Sequence, residues 1–209
     1  ISDDYTGIDY SADMVAACRA RYPGVRFEHA DARAMPQLAD GSVFLAVFSC
    51  NGIGMVSHPD RLRILREVHR VLQPGGAFVF SFHNRNSPEY SRGFRFPALQ
   101  WSRNPLRLLV RSARFARDTA RRLRNRRRFR PLEVHAGEYA VINDVSHDYG
   151  TMLYYVTLAQ QRRQLQEAGF DPLVEAYDLD GERIGDDTGH DSIALIARKP
   201  VAATAQLPA

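Results

Sequence analysis

The sequence predicts an α/β fold: a doubly wound, mostly parallel sheet with an antiparallel C-terminal strand pair. Three observations carry this expectation. Short apolar runs alternate with helix-period segments over the first 83 residues. Several of those runs are too uniformly apolar to keep one face in water. Beyond residue 137 the pattern changes to two alternating segments, one helix and two last strands.

In chain order, Tyr5 to Tyr10 reads as a strand ending in an acid, Asp9. Ser11 is a good N-cap for the next helix, and Asp13 suits its first turn. Met14, Val15, Cys18 and Tyr22 share one face of that helix, which Pro23-Gly24 stops. Val25 to Ala30 is the second strand, followed by Asp31, and Ser42 to Ser49 fits a central strand covered on both faces. Pro59-Asp60 opens a helix in which Ile64, Leu65, Val68, Val71 and Leu72 recur at helical spacing. Pro74-Gly75-Gly76 ends it before the strand Ala77 to Phe82. Glu138 to Ser146 and Tyr149 to Val156 alternate as an antiparallel pair. Thr157 to Gln160 is a capping box, and its helix carries Leu158, Leu165 and Ala168 before a C′ glycine, Gly169. Leu173 to Tyr177 and Ser192 to Ala197 are the final strands, joined by an acidic, glycine-rich loop.

One core domain is therefore expected from residues 1–83 and 138–200, with an arginine-rich helical insertion at 84–137 and a tail at 201–209. The composition, 44% hydrophobic and 25% charged, is that of a globular protein. No apolar run approaches the roughly 20 residues of a bilayer span. Two cysteines without metal-type spacing predict no metal site and a reducing, cytoplasmic setting. The opening Ile1-Ser2-Asp3-Asp4 has no secretory pattern, and the missing initiator Met predicts further residues upstream.

The net charge of +4 hides an asymmetry, because 15 arginines between Arg85 and Arg130 face only Glu89 and Asp118. That local +13 leaves −9 elsewhere. Leu106, Leu109, Ala113, Ala116, Ala120 and Leu123 line one stripe of the helix predicted there, flanked by Arg107, Arg111, Arg114, Arg121 and Arg124. Such a helix suits an anionic membrane surface, through residues 105–130, or a solvated cover over a pocket. Nucleic acid is disfavoured, since Phe115 and Phe129 are the only aromatics in the helical part.

Ligands of a doubly wound sheet bind at the carboxyl ends of its strands. Asp9, Asp31 and the turn Ser49-Cys50-Asn51-Gly52 lie at such ends. An acid at Asp9 can accept both hydroxyls of a ribose. Asp31 can accept the exocyclic amine of adenine while the Ala32 N–H donates to a ring nitrogen. Each acid could equally cap its own loop; two of them at successive strand ends favour a nucleoside site.

Three ordered segments, Thr6-Gly7-Ile8-Asp9-Tyr10-Ser11, His29-Ala30-Asp31-Ala32 and Val71-Leu72-Gln73-Pro74-Gly75-Gly76, resemble motifs of the class I (Rossmann-like) S-adenosylmethionine-dependent methyltransferases. The resemblance covers about two-thirds of the chain and leaves out mainly the insertion. It implies S-adenosylmethionine as cofactor, with ribose on Asp9, adenine against Tyr10, and the adenine amine on Asp31. It also implies that Ser49, Cys50 and Asn51 lie beside the methionine part. The family's glycine-rich first-strand loop is absent from this chain, and Gly52 and Gly54 stand too late to replace it.

The expected reaction is methyl transfer to a small-molecule acceptor. A nicotinamide-dependent oxidoreductase and a non-catalytic polyanion-binding module are the alternatives. No catalytic residue is assigned. His58, His83 and His147 are candidate bases, each with a structural role favoured, and Tyr149, Tyr154 and Tyr155 are expected on a lid formed by residues 138–156.

Overall fold

A computed structural model describes residues 4–185 and 189–201. The elements run β1 (Thr6–Asp9), α1 (Ala12–Arg21), β2 (Arg26–His29), β3 (Val43–Phe48), α2 (His58–Val71) and β4 (Leu72–Asn84). Then come α3 (Pro88–Ser91), α4 (Pro105–Phe129), β5 (Val134–His135), β6 (Tyr139–Ile142), β7 (Leu153–Val156) and α5 (Leu158–Glu167). The described chain closes with β8 (Glu175–Tyr177), β9 (Arg183–Ile184) and β10 (Ser192–Arg198). The helix starts follow local chemistry: the side chains of Ser11, Ser57, Asn104 and Thr157 accept from the N–H groups of Met14, Asp60, Arg107 and Gln160. Gly169, with φ +99°, leads the chain out of α5.

The main sheet is ordered β5-β6-β7-β4-β10-β8-β9, with β3 added to β4. β3 and β7 run parallel to β4, whereas β10 runs antiparallel to it and to β8. Phe78, Phe80 and Phe82 of β4 and Ile193, Leu195 and Ala197 of β10 share one face. They pack with Ile64, Leu65, Val68 and Val71 of α2 and with Leu158 and Leu165 of α5, and this layer is the core. Lys199 fixes the lower end of α2, its Nζ donating to the carbonyls of His69 and Leu72, both at 2.8 Å. Gly76 is required where β3 crosses close: a Cβ there would stand 2.9 Å from the Gln73 carbonyl oxygen and 3.0 Å from that of Phe44.

The structure corrects several expectations. β3 is not covered on both faces: it pairs with β4 alone among the described residues, and Phe44 (67%), Leu45 (52%) and Val47 (61%) are exposed. β1 and β2 form a parallel sheet of their own, with no described strand between β1 and β3. The apolar face read on α1 is only part buried, since Val15 is buried while Met14 and Tyr22 are exposed. Residues 138–156 are not a lid either. β6 and β7 extend the main sheet, and Tyr149, Tyr154 and Tyr155 are all buried. The end of the 84–137 segment is woven into the same sheet through β5.

Candidate functional site

Sequence reasoning placed the candidate residues at strand ends, and the backbone is most unusual at one of them. After β3, Cys50 and Asn51 both adopt left-handed conformations, φ +55° and +53°. Each costs a non-glycine residue roughly 1–2 kcal/mol, so the surrounding structure must hold the turn in place. It does so through the Asn51 N–H on Ser81 Oγ (3.2 Å) and Asn51 Nδ2 on Ser192 Oγ (3.1 Å). Asn51 Oδ1 is left buried without a hydrogen-bond partner among the described residues. A buried acceptor in this condition costs about 1–3 kcal/mol until a donor reaches it.

The helical turn Gly52–Met55 that follows rests on Arg61 of α2, which is fully buried. Arg61 donates to the Ile53 carbonyl (2.8 Å), Gln161 Oε1 and Gln164 Oε1, and its guanidinium lies 4.6 Å from the Tyr154 ring centroid. These partners are all neutral. Burial therefore pulls its pKa down to about 10, which still leaves it charged at neutral pH. Tyr154 accepts from Gln164 (2.9 Å) and shares a hydrogen bond with His58 Nδ1 (2.7 Å), and burial pushes its hydroxyl up to about 12. Sequence reading missed Arg61. One arginine among the four of α2 carries no signal of which will be buried or what it will meet.

On the nucleoside side, Asp9 Oδ1 accepts the Ser11 N–H at 2.7 Å. Ala30 N donates to the Asp9 carbonyl, which joins the ends of β1 and β2. Tyr10 is exposed, and its carbonyl lies 2.8 Å from His29 Nε2. Asp31 is gripped by Arg33 through backbone N–H and guanidinium (2.6–3.0 Å), and that hydrogen bonding holds its carboxyl below the usual range. Arg33 reaches on to Asp60 at 3.2 Å, tying this loop to the start of α2. Ala32 packs at the edge of the core. Loop capping, the plainer role weighed for the acids, is thus made by both; a carboxylate has about four acceptor sites, so the single bond to Ser11 does not saturate Asp9, whereas the four contacts from Arg33 occupy those of Asp31.

An aromatic chain leads from the end of β4 to a cavity. His83 stacks on Tyr155 (5.2 Å), Tyr155 meets Tyr90 (5.4 Å), and Tyr90 meets His135 (6.5 Å). Burial is the first cause that keeps His83 below its ordinary pKa, and it pushes the Tyr155 hydroxyl, bonded to Asp144 at 2.7 Å, well up. The cavity, about 260 Å³, is lined by Tyr90, Arg95, Arg126, His135, Asn143 and Tyr149 among others. Asn143 is buried and spends its Nδ2 on the carbonyls of Tyr149 and Thr151, while its Oδ1 has no partner among the described residues. His147, Asp148 and Tyr149 form a second left-handed run, φ +50° to +59°, clamped by Arg121 and Arg122 of α4 on the Asp148 carboxylate. Tyr149 OH accepts the Arg95 N–H at 2.8 Å. Of the three candidate histidines, His147 takes no part in the aromatic chain and His58 stacks with Tyr139 and Tyr154 instead, so His83 is the one that joins the chain, which ends on His135 at the cavity.

Residues 2–76 match the family model for a methyltransferase domain. The demethylmenaquinone methyltransferase of Lysinibacillus sphaericus is 30% identical over 99 residues, 46% of this chain and 41% of that relative. The chain thus spans less than half the length of this curated relative. Among solved structures, the CcbJ methyltransferase of Streptomyces caelestis superposes with TM-score 0.61 at 15% identity, covering 94% of this chain and 74% of that one. The glycopeptide N-methyltransferase MtfA, complexed with S-adenosylhomocysteine, superposes with TM-score 0.54 at 18% identity, covering 93% and 73%. Identities this low speak to the fold alone. Residues 2–76 are thus similar in sequence to a methyltransferase domain, and the chain shares its fold with these two solved structures.

Proposed function

We propose that the protein transfers a methyl group from S-adenosylmethionine to a small-molecule acceptor. The observation that carries this reading is the strained Cys50-Asn51 turn, with its buried, unpartnered Asn51 Oδ1, in a chain whose first third matches a methyltransferase domain. An orphaned acceptor at a strand end suits a ligand with an ammonium group, and S-adenosylmethionine carries one. In this reading Asp9 accepts the ribose hydroxyls and Tyr10 covers adenine. Asp31 and the Ala32 N–H meet the adenine edge, and Ser49, Cys50 and Asn51 hold the methionine part. Residues 1–83 and 138–200 would form the core and 84–137 the acceptor-side insertion.

The sulfonium supplies an activated methyl group, so the chain's own task is to align the acceptor and exclude water. The cavity beside Tyr90 and Asn143 is the proposed acceptor site. Asn143 Oδ1 would accept a hydrogen bond from an acceptor N–H or O–H. His83, kept neutral by its burial, would be free to take a proton from a nucleophile arriving along the Tyr155–Tyr90 route.

Calorimetric titration with S-adenosylmethionine and, separately, with oxidised nicotinamide dinucleotides tests the reading. The methyl donor is expected to bind, and Asn51→Ala to weaken it. Binding of the dinucleotide in preference would favour the oxidoreductase alternative and overturn the assignment.

A further inference from the structure

The long helix α4 is amphipathic in the opposite sense to a core helix. Its half-buried positions are Leu108, Arg111, Phe115, Asp118, Thr119, Arg122, Asn125, Arg126 and Phe129, mostly polar. Through them it is fastened by directed bonds: Arg122 to the Asp148 carboxylate (2.8 Å) and the Arg95 carbonyl (2.9 Å), and Asn125 to the Asp148 carbonyl (3.0 Å). Arg126 adds bonds to Glu133 and the Asn143 carbonyl. The apolar stripe read from the sequence, Leu106, Leu109, Ala113, Ala116, Ala120 and Leu123, is exposed along its whole length. Leu106 is 74% and Leu109 68% exposed. The segment leading into the helix adds Phe96, Leu99 and Trp101, the last 73% exposed. A single exposed leucine is ordinary, but a continuous stripe joined to an exposed tryptophan marks a surface that meets something apolar.

Charge selects the partner. No acidic residue lies between Glu89 and Asp118, and Arg103, Arg107 and Arg114 border the apolar residues from exposed positions. A second copy of the same face is a poor occupant, because α4 carries ten arginines against the single Asp118 and two such helices repel. Nucleic acid would satisfy the arginines but leave Leu106, Leu109 and Trp101 in water. A bilayer with anionic headgroups satisfies both, the arginines lying at phosphate level and the leucines and tryptophan entering the acyl boundary. We propose that α4 and residues 96–103 form a docking surface for an anionic lipid membrane. The polar, ion-paired side of the helix stays bonded to the His147–Tyr149 turn and to the Asn143 carbonyl at the cavity beside it.

Co-sedimentation of the 209-residue chain with phosphatidylcholine vesicles, alone or mixed with phosphatidylglycerol, tests the proposal. Binding is expected to the anionic vesicles only and to fall steeply as salt rises. Arg107→Gln with Arg114→Gln should weaken it about thirtyfold, since each arginine near an anionic surface is worth about fivefold. Leu106→Ser with Leu109→Ser should weaken it at least tenfold, roughly, through lost apolar burial. All four positions are exposed, so unchanged circular-dichroism melts are expected and exclude misfolding as the cause. Equal binding to neutral vesicles, no binding to either, or anionic binding indifferent to the leucine pair would overturn the proposal. So would binding to duplex DNA tighter than to the anionic vesicles and unchanged by the leucine pair.

Discussion

Strand β4 pairs along both edges and buries Phe78, Phe80 and Phe82 beneath α2 and α5, whereas its neighbour β3 pairs along one edge and exposes Phe44, Leu45 and Val47. The stretch Ala77 to Phe82 of β4 is almost as apolar in sequence as β3. What separates them is the supply of partners. Beyond β3 the described residues hold no strand and no covering helix, and β1 and β2 stand apart as a sheet of two. The proposed nucleoside half of the site lies on the open side of the molecule, and the acceptor half on the closed side.

Stability should show the difference most strongly. Phe82→Ala, on the closed side, is expected to cost about 3–5 kcal/mol in urea unfolding, for lost transfer energy and the cavity left behind. Phe44→Ala is expected to change stability by less than about 0.5 kcal/mol, because its ring already meets water. A comparable loss in both would mean that the β3 edge is covered in solution. Repeating the pair in protein that includes any residues encoded upstream of Ile1 sharpens the contrast: a further parallel strand between β1 and β3 would make Phe44→Ala costly.

The next effect belongs to the ligand. Asp9→Ala should remove a charge-assisted contact of about 1.5–3 kcal/mol, one to two decades in affinity for S-adenosylmethionine by calorimetry. The closed side should be indifferent to this change, so Phe82→Ala and Asp9→Ala should separate cleanly into fold and binding defects.

A smaller effect concerns pH. His58, His69 and His83 are all held below the ordinary 6.5, with burial as the first cause in each. A histidine depressed in the folded state binds its proton more readily when unfolded. Its contribution to stability is therefore full above about pH 6.5 and is lost as pH falls through the folded values. The urea midpoint should drop between pH 7.5 and 5.5, and His83→Gln should flatten that drop. A midpoint that rises on acidification would contradict the sign.

Much of the fold was legible from sequence because its signals are local. The caps at Ser11 and Thr157, the spacing of Ile64, Leu65, Val68 and Val71, and the glycine at 169 each act within a few residues. The coverage of β3 was not legible, since an apolar run reports a need for burial and not whether a partner meets it. The direction of α4 was hidden for a related reason. Periodicity located its stripe, but the polar bonds from Arg122, Asn125 and Arg126 to a distant turn decide which side faces inward. At the site, Asp9 and Asp31 were readable as strand-end acids, while the left-handed Cys50-Asn51 turn follows from no motif in those residues.

The central claim is that the methyl donor lies across the open side, from Asp9 and Asp31 to Asn51. Its most direct test is amide chemical-shift mapping with S-adenosylhomocysteine, on protein that includes any residues encoded ahead of Ile1. The account predicts saturable shifts at Asp9, Tyr10, Ala32 and Asn51, with Ile193 and Leu195 in the core unmoved. Saturable shifts confined to other residues, or none at these four, would contradict it.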